Sequence, residues 1–362
     1  MSELNASNLR KEHGNEGPDL VGVTELTSPY YMVPPSGNTE ERPQNPQKGT
    51  LRFNTDIGSL EYFKGDTLGW ESINRVSPNL NGGARGLIGG GAAPGANTIE
   101  YITISTLGDT TDFGDLSVPR RTLQGCGSRT RGLFGGGYST SDVIDYVTIA
   151  SPGNATDFGN LTTGKFHISS CSSQTRGIWA GGVPTTTNSI DYVTIASTGN
   201  ANDFGDLVET RAYGSGLASS VRGLFTGGTP TLNNGIDYIT ISSTGNAAAF
   251  GDLTTTKGAA TGGGNSTRGL WFGGVTPSQT NNIEYVTIAT LGDTTDFGDL
   301  TVARSYTSVC DAPTRCVIGG GNGDTDVIDY VDPTSTGNAI DFGNMTTDRE
   351  YAAGISNAHG GL

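Results

Sequence analysis

Two segments of this chain imitate chemistry that they do not complete. Gly159-Asn-Leu-Thr-Thr-Gly164-Lys165-Phe166 has the spacing of a loop that cradles phosphates, with glycines to free the backbone and a lysine to reach the anion. Phe166 stands where a hydroxyl should hold magnesium, no helical pattern follows, and the same phase further on reads Gly205-Asp-Leu-Val-Glu-Thr-Arg211. The triplet Asp-Phe-Gly stands at 112–114, 157–159, 203–205, 296–298 and 341–343. A reaction that needs one metal-holding aspartate has no use for five in one phase, so the triplet is read as architecture. Its Phe is expected to pack between units, its Gly to permit a turn and its Asp to cap local backbone. Asp115, Asn160, Asp206, Asp252, Asp299 and Asn344 follow it. Nothing has the spacing of a calcium loop, so no metal site is assigned, and calcium binding is left open. The chain has three histidines, His13, His167 and His359, in no metal-ligand pattern, and no nucleophile has an evident base. No catalytic residue and no cofactor are assigned, and the chain is read as not an enzyme.

Cations and aromatic groups offer binding instead. Arg120, Lys165, Arg211, Lys257, Arg304 and Arg349 share one phase, and two residues further on stand Thr122, His167, Tyr213, Ala259, Tyr306 and Tyr351. Six cations around one rim of an acidic protein would attract an anionic glycan; the competing reading pairs each with a carboxylate of its own or the next unit. His167, Tyr213, Tyr306 and Tyr351 are the more informative set, because the other two units lack an aromatic group there. Their amphipathic tips suit contact with sugar or protein. Trp179 and Trp271 belong to a different series, Ile88, Phe134, Trp179, Phe225, Trp271 and Ile318, read as core in preference to sugar stacking.

The phases come from a sixfold internal repeat. An Arg-Gly-Leu segment or its equivalent begins at Arg85, Arg131, Arg176, Arg222, Arg268 and Arg315, at intervals of 46, 45, 46, 46 and 47 residues. An Ile-Asp/Glu-Tyr triplet recurs in step, ending at Tyr101, Tyr146, Tyr192, Tyr238, Tyr285 and Tyr330. Each unit has four short strand-like segments; in the fourth they lie near Tyr213–Ser219, Arg222–Phe225, Ile236–Ile241 and Ala249–Leu253. Four strands in that length make one propeller blade, and a ring of six removes exposed sheet edges. Residues 77–84 lack a normal first strand, whereas 349–357 align with 211–219, so the C-terminal strand is expected to complete the first blade. The prediction is an all-β, six-bladed β-propeller over 77–362, with four-stranded blades. The loops between second and third strands vary (92–98, 138–143, 183–189, 229–235, 275–282, 322–327), while turns such as Ser-Thr-Gly-Asn at 197–200 hardly change. Variation on a fixed scaffold marks the face that carries function.

Composition agrees. Of 362 residues 57 are Gly, 33% are hydrophobic and 16% charged, a balance suited to short strands and tight turns. Lys plus Arg number 21 against 36 Asp plus Glu, a net charge of −15, which argues against nucleic acid as a partner. No run is apolar and long enough for a membrane-spanning helix, so no membrane insertion is expected. Four cysteines are too few for a disulfide scaffold. Cys126, Cys171 and Cys310 occupy one position in three units and are read as small buried residues of the innermost strand, too far apart to bridge.

Residues 1–47 differ in kind. They carry Pro18, Pro29, Pro34, Pro35, Pro43 and Pro46 among polar residues and cannot build a core, so an extended arm that orders against a partner is expected. The first residues, MSELNASNLRKEHGNEG, lack the apolar centre of a signal peptide, so a protein made and kept in a cytoplasm, or released without a secretion signal, is expected. Residues 48–76 form a small hairpin module: Leu51–Phe53 and Leu60–Phe63 flank Asn54-Thr-Asp-Ile-Gly58, and Trp70–Ile73 adds a third strand.

The double glycine after the second strand, with an aromatic residue in each of the next two strands, resembles kelch-like propellers. Thr-Arg-Gly-Leu-Phe-Gly-Gly-Gly at 130–137 is closer to a repeat of marine bacteriophage virion proteins. The hairpin module, and the arm in SELNASNLRKEHGNEGPDLVG and VPPSGNTEERP, resemble segments of tail-fibre and other virion proteins of cyanobacterial viruses. The resemblance implies a virion protein, a tail fibre, appendage or decoration. Its arm would bind other virion proteins, it would be present as a homo-oligomer or in many copies, and its propeller would meet a host-surface glycan or protein. A purely structural tail, neck or capsid component is the alternative, and a glycan-active propeller enzyme the third reading.

Overall fold

Glycine and β-branched residues in alternation leave the chain few options but short strands, and every regular element among the described residues is a strand. A computed structural model describes residues 34–56, 59–67, 69–72, 84–92, 95–228, 233–322 and 325–362. The chain divides into two units, within 1–76 and 77–362.

In the first unit, strands Ser36–Gly37, Leu51–Asn54, Ser59–Phe63 and Trp70–Ser72 form one sheet in chain order. The last three are the expected meander. The first departs from an extended arm running to residue 47: Ser36 and Gly37 pair in parallel with Phe53 and Asn54. The cause is a buried acid. Glu61, 0% exposed, takes Arg42 at 2.5 Å and Arg52 at 3.6 Å and accepts a bond from Asn54. An unpaired carboxylate there would be costly, so Arg42 and its neighbours are drawn onto the sheet. Arm residues 1–33 lie outside the described residues.

In the second unit, each repeat makes a four-stranded antiparallel sheet. The second repeat is typical: Gln124–Gly127, Arg131–Gly135, Val143–Thr148 and Thr156–Asn160, each paired with the next. The sheet of the first repeat, Arg85–Gly89, Ala96–Thr103 and Thr111–Arg120, takes its fourth strand from Ala353–Ser356, with Ala353 opposite Gly89 and Ser356 opposite Gly86.

The Asp-Phe-Gly triplet makes a bulge. Ile144 pairs with Gly159 while Asp145 pairs with Asp157, so Phe158 is the extra residue of the outer strand. Ile144 and Asp145 keep unbroken alternation against Gly135 and Phe134, and both are buried because each face of the sheet meets a neighbour: Ile144 the following repeat, Asp145 Arg120 of the preceding one. Gly159 follows at φ 145°, and a Cβ there would lie 2.4 Å from the Gly199 carbonyl oxygen of the next repeat. Gly199 in turn donates its N–H to the Phe158 carbonyl, and the Asn200 side chain accepts the N–H of Asn160. The constant Ser-Thr-Gly-Asn turn is thus a clamp on its neighbour. Capping is done by this asparagine; the triplet aspartates 112, 157, 203, 296 and 341, expected to cap, are exposed.

The apolar core lies between repeats. One cluster joins Cys126, Leu133, Ile144 and Phe158 to Trp179, Val193 and Ile195 of the following repeat. Another joins Cys310, Val317, Ile328 and Phe342 of the sixth to Ile88, Ile102 and Ile104 of the first. Burying each large side chain is worth about 1.5–3 kcal/mol, so a repeat is stable chiefly through its neighbours. Cys126, Cys171, Cys310 and Cys316 are free and buried. Three of the inner-strand residues fill space that a glycine of another repeat leaves open: a Cβ on Gly86 would meet Cys310, on Gly177 Cys126 and on Gly223 Cys171.

Candidate recognition face

The six phased cations are withdrawn from the surface, which corrects the expectation of a cationic rim. Arg120–Asp145, Lys165–Asp191, Arg211–Asp237, Lys257–Glu284, Arg304–Asp329 and Arg349–Glu100 are ion pairs of 2.6–3.1 Å, each side chain at most 5% exposed. Arg120 and Arg211 end the outer strand of their repeat, the other four cations lie five residues beyond theirs, and each reaches the acid of the Ile-Asp/Glu-Tyr triplet in the next repeat, the sixth reaching the first. Arg120 also donates to the carbonyls of Gly136 and Val143, and Arg304 to those of Gly320 and Val327. Burial pulls the Arg120, Arg304 and Arg349 guanidinium groups below their ordinary range, and the partner carboxylates oppose that pull. Lys165, the lysine of the phosphate-loop imitation, is spent on Asp191.

The repeat arginines form a second internal series. Arg85 lies over the Tyr101 ring at 4.6 Å, and the other five over their own tyrosines at 4.5–4.9 Å. Arg85 donates to the Ile149 carbonyl of the next repeat, and Arg315 of the sixth to Ile104 of the first.

Two residues beyond the buried cations, the backbone turns left-handed in every repeat. Thr122, His167, Tyr213, Ala259, Tyr306 and Tyr351 have φ of 51–59°, a conformation that costs a non-glycine residue about 1–2 kcal/mol. The offset is a cycle of hydrogen bonds. The N–H of Thr122 donates to Tyr351, His167 to Thr122, Tyr213 to His167, Ala259 to Tyr213, Tyr306 to Ala259 and Tyr351 to Tyr306, at 2.8–3.2 Å. Backbone and not side chain is therefore the repeated feature, which frees the side chains to differ.

The four aromatic residues of this cycle converge. His167 stacks on Tyr213 at 3.8 Å between centroids, Tyr306 lies 4.4 Å from Tyr351, and His167 is 6.1 Å from Tyr306 and 5.8 Å from Tyr351. All four are half-buried. Burial, then the Arg121 charge, depresses His167 to about 4, so its imidazole is neutral; burial, then the neighbouring phenols, pushes Tyr306 up to about 12.

Three residues that sequence reasoning missed extend it. Phe166 packs on His167 at 5.3 Å, Tyr138 meets Phe166 edge-on at 5.3 Å, and the Arg121 guanidinium lies 4.6 Å from the Tyr138 centroid and 6.0 Å from that of Tyr351. Tyr138 is 49% exposed. A signal existed: Arg121 has no counterpart in the other repeats, and Tyr138 opens a variable loop. Parts of three such loops, 93–94, 229–232 and 323–324, lie outside the described residues. Trp179 and Trp271 are fully buried and contribute nothing to this face.

Below the platform, residues of all the innermost strands line a cavity of about 70 Å³. His359 borders it, accepting the Gly361 N–H at Nδ1 and donating Nε2–H to the Gly127 carbonyl, so the ring is the neutral Nε2 tautomer. Burial holds it at about 4, and pushes the adjoining Asp311 carboxyl up to about 6. Among the described residues no group of three or more His, Cys, Asp and Glu side chains is placed to hold a metal, and no helix is long and apolar enough to cross a membrane.

No protein-family model matches the chain, and no curated protein matches its sequence.

Proposed function

We propose that this chain is a non-enzymatic bacteriophage virion protein, anchored through its N-terminal segment, that displays a closed six-bladed, kelch-like β-propeller for recognition of a host-surface glycan or protein. Closure is supported by contacts in which the sixth repeat treats the first as its successor: Arg349 with Glu100, Arg315 with Ile104, and strand 353–356 beside 85–89. Absence of enzymatic activity is supported by what the repeated polar residues are occupied with, since the phased cations, the acids of the Ile-Asp/Glu-Tyr triplets and the repeat arginines are all engaged between repeats.

One observation carries the recognition reading. At a backbone position made equivalent six times by the hydrogen-bond cycle, four aromatic side chains are gathered into one half-exposed cluster, and the other two positions hold Thr122 and Ala259. A structural need would recur in all six. Tyr213→Ala with Tyr306→Ala tests it, and Ala259 shows that alanine is accommodated at this φ. The double variant should adsorb to host cells about thirtyfold more weakly, the equivalent of about 2 kcal/mol, with a melting temperature within a few degrees of wild type. Unchanged adsorption by the folded variant overturns this assignment and favours a propeller that only fits other virion proteins.

A further inference from the structure

From position 85 onward the chain has fourteen Lys and Arg residues, and twelve of them serve the two repeated internal tasks, six in buried ion pairs and six over the repeat tyrosines. Arg121 and Arg129 are the two outside both series. Arg121 is half-buried, makes no salt bridge among the described residues, and its Nε finds no hydrogen-bond partner. Its guanidinium lies instead over ring faces, 4.6 Å from the Tyr138 centroid and 6.0 Å from that of Tyr351. A structural arginine in this protein is given a carboxylate or a carbonyl; this one is given aromatic surface beside the half-exposed cluster.

We propose that Arg121, Tyr138 and Tyr351 form a subsite for a sugar ring that bears an anionic oxygen group, a carboxylate or a sulfate. An aromatic face accepts the C–H face of a pyranose, and the planar fork of a guanidinium matches two oxygens of a carboxylate or sulfate. Charge gives the selectivity. A chain of net charge −15 repels an acidic polymer over most of its surface, so a single positioned cation fixes where such a polymer is held. Glu350, next to Tyr351 in sequence, opposes that field, and its removal should strengthen binding. The assignment rests on the recognition reading of this face and narrows it to acidic glycans.

The full chain is titrated calorimetrically with a glucuronic-acid tetrasaccharide, a sulfated galactose tetrasaccharide and the unsulfated galactose tetrasaccharide. At least one anionic probe should bind at least tenfold more tightly than the neutral one, and which of them binds identifies the anionic group. Arg121→Gln should lose that tenfold preference, Arg121→Lys should keep part of it, Tyr138→Ala should weaken binding several-fold, and Glu350→Gln should tighten it. Arg129→Gln should change nothing. Failure of both anionic probes, equal binding of the neutral one, or an equal loss in Arg129→Gln overturns the assignment. If adsorption to cells still depends on Tyr213 and Tyr306 while neither acidic probe binds, the acidic-sugar subsite fails and the recognition reading stands.

Discussion

Two histidines are the residues whose protonation the fold resists most plainly. His167 and His359 are both held at about 4 by burial, against an unfolded value near 6.5. Folded-state values depressed in this way mean that the unfolded chain binds more protons between pH 4 and 6.5, so stability is lost as pH falls through that window. Asp311 acts in the opposite sense: its value is raised to about 6, so its contribution is present at low pH and lost as pH rises toward 6. Two groups outweigh one. The expected outcome is a melting temperature that falls between pH 7 and 5, by the equivalent of about 2 kcal/mol. His359→Gln, which keeps a donor for the Gly127 carbonyl, should flatten part of the slope. A pH-independent melting temperature across that interval would contradict the burial of these rings.

Between elements, the energetic unit is the junction of two repeats. Each junction spends one cation on one acid in a nearly dry interface, and breaking such a pair from one side leaves a charge unpaired. Asp329→Ala strands Arg304, which is 0% exposed, and should lower the unfolding free energy by about 3–5 kcal/mol in chemical denaturation. Arg304→Met with Asp329→Leu should recover most of that loss, because no charge is then left behind. The bulge glycine is the second joint. Gly159→Ala adds a Cβ 2.4 Å from the Gly199 carbonyl oxygen at a φ of 145°, so it should cost about 1–3 kcal/mol without touching the aromatic platform. A neutral Gly159→Ala would mean that the neighbouring turn is free to yield.

For the whole molecule the question is whether the last repeat is fastened to the first. Strand 353–356, the Arg349–Glu100 pair and the Tyr351 links of the hydrogen-bond cycle all belong to the final residues. Deleting 349–362 removes all three and uncovers the edge of strand Arg85–Gly89. The truncated protein should unfold with lower cooperativity or aggregate through that edge, as seen in calorimetry and light scattering. A sharp melting transition at the wild-type temperature would show that the repeats hold together without this fastening.

Repeat length, the four strands of each unit, the burial of the apolar series and the joining of 353–356 to the first sheet are all legible in the sequence. Periodicity reports neighbours that are the same in every copy, and here the same contact is made six times. The pairing of the cations is legible only as one of two readings, because a charge phased with a charge in the next unit looks like a displayed ring until burial is known. Ile-Asp-Tyr reads as a half-buried strand with its acid outward. The preceding repeat covers that face and buries Asp145 against Arg120, and alternation of residue types does not report that both faces of a strand are covered. The joining of Ser36–Gly37 to the sheet is not legible for a related reason: the acid that draws Arg42 onto the sheet, Glu61, lies 19 residues along the chain. Tertiary structure alone extended the candidate face beyond the four phased aromatic residues. Arg121, Tyr138 and Phe166 share no phase with His167, Tyr213, Tyr306 and Tyr351, and only the convergence of the repeats brings their rings together. Repetition in sequence fixes what every unit must do, whereas a site built from what differs between units exists only where those differences meet in space.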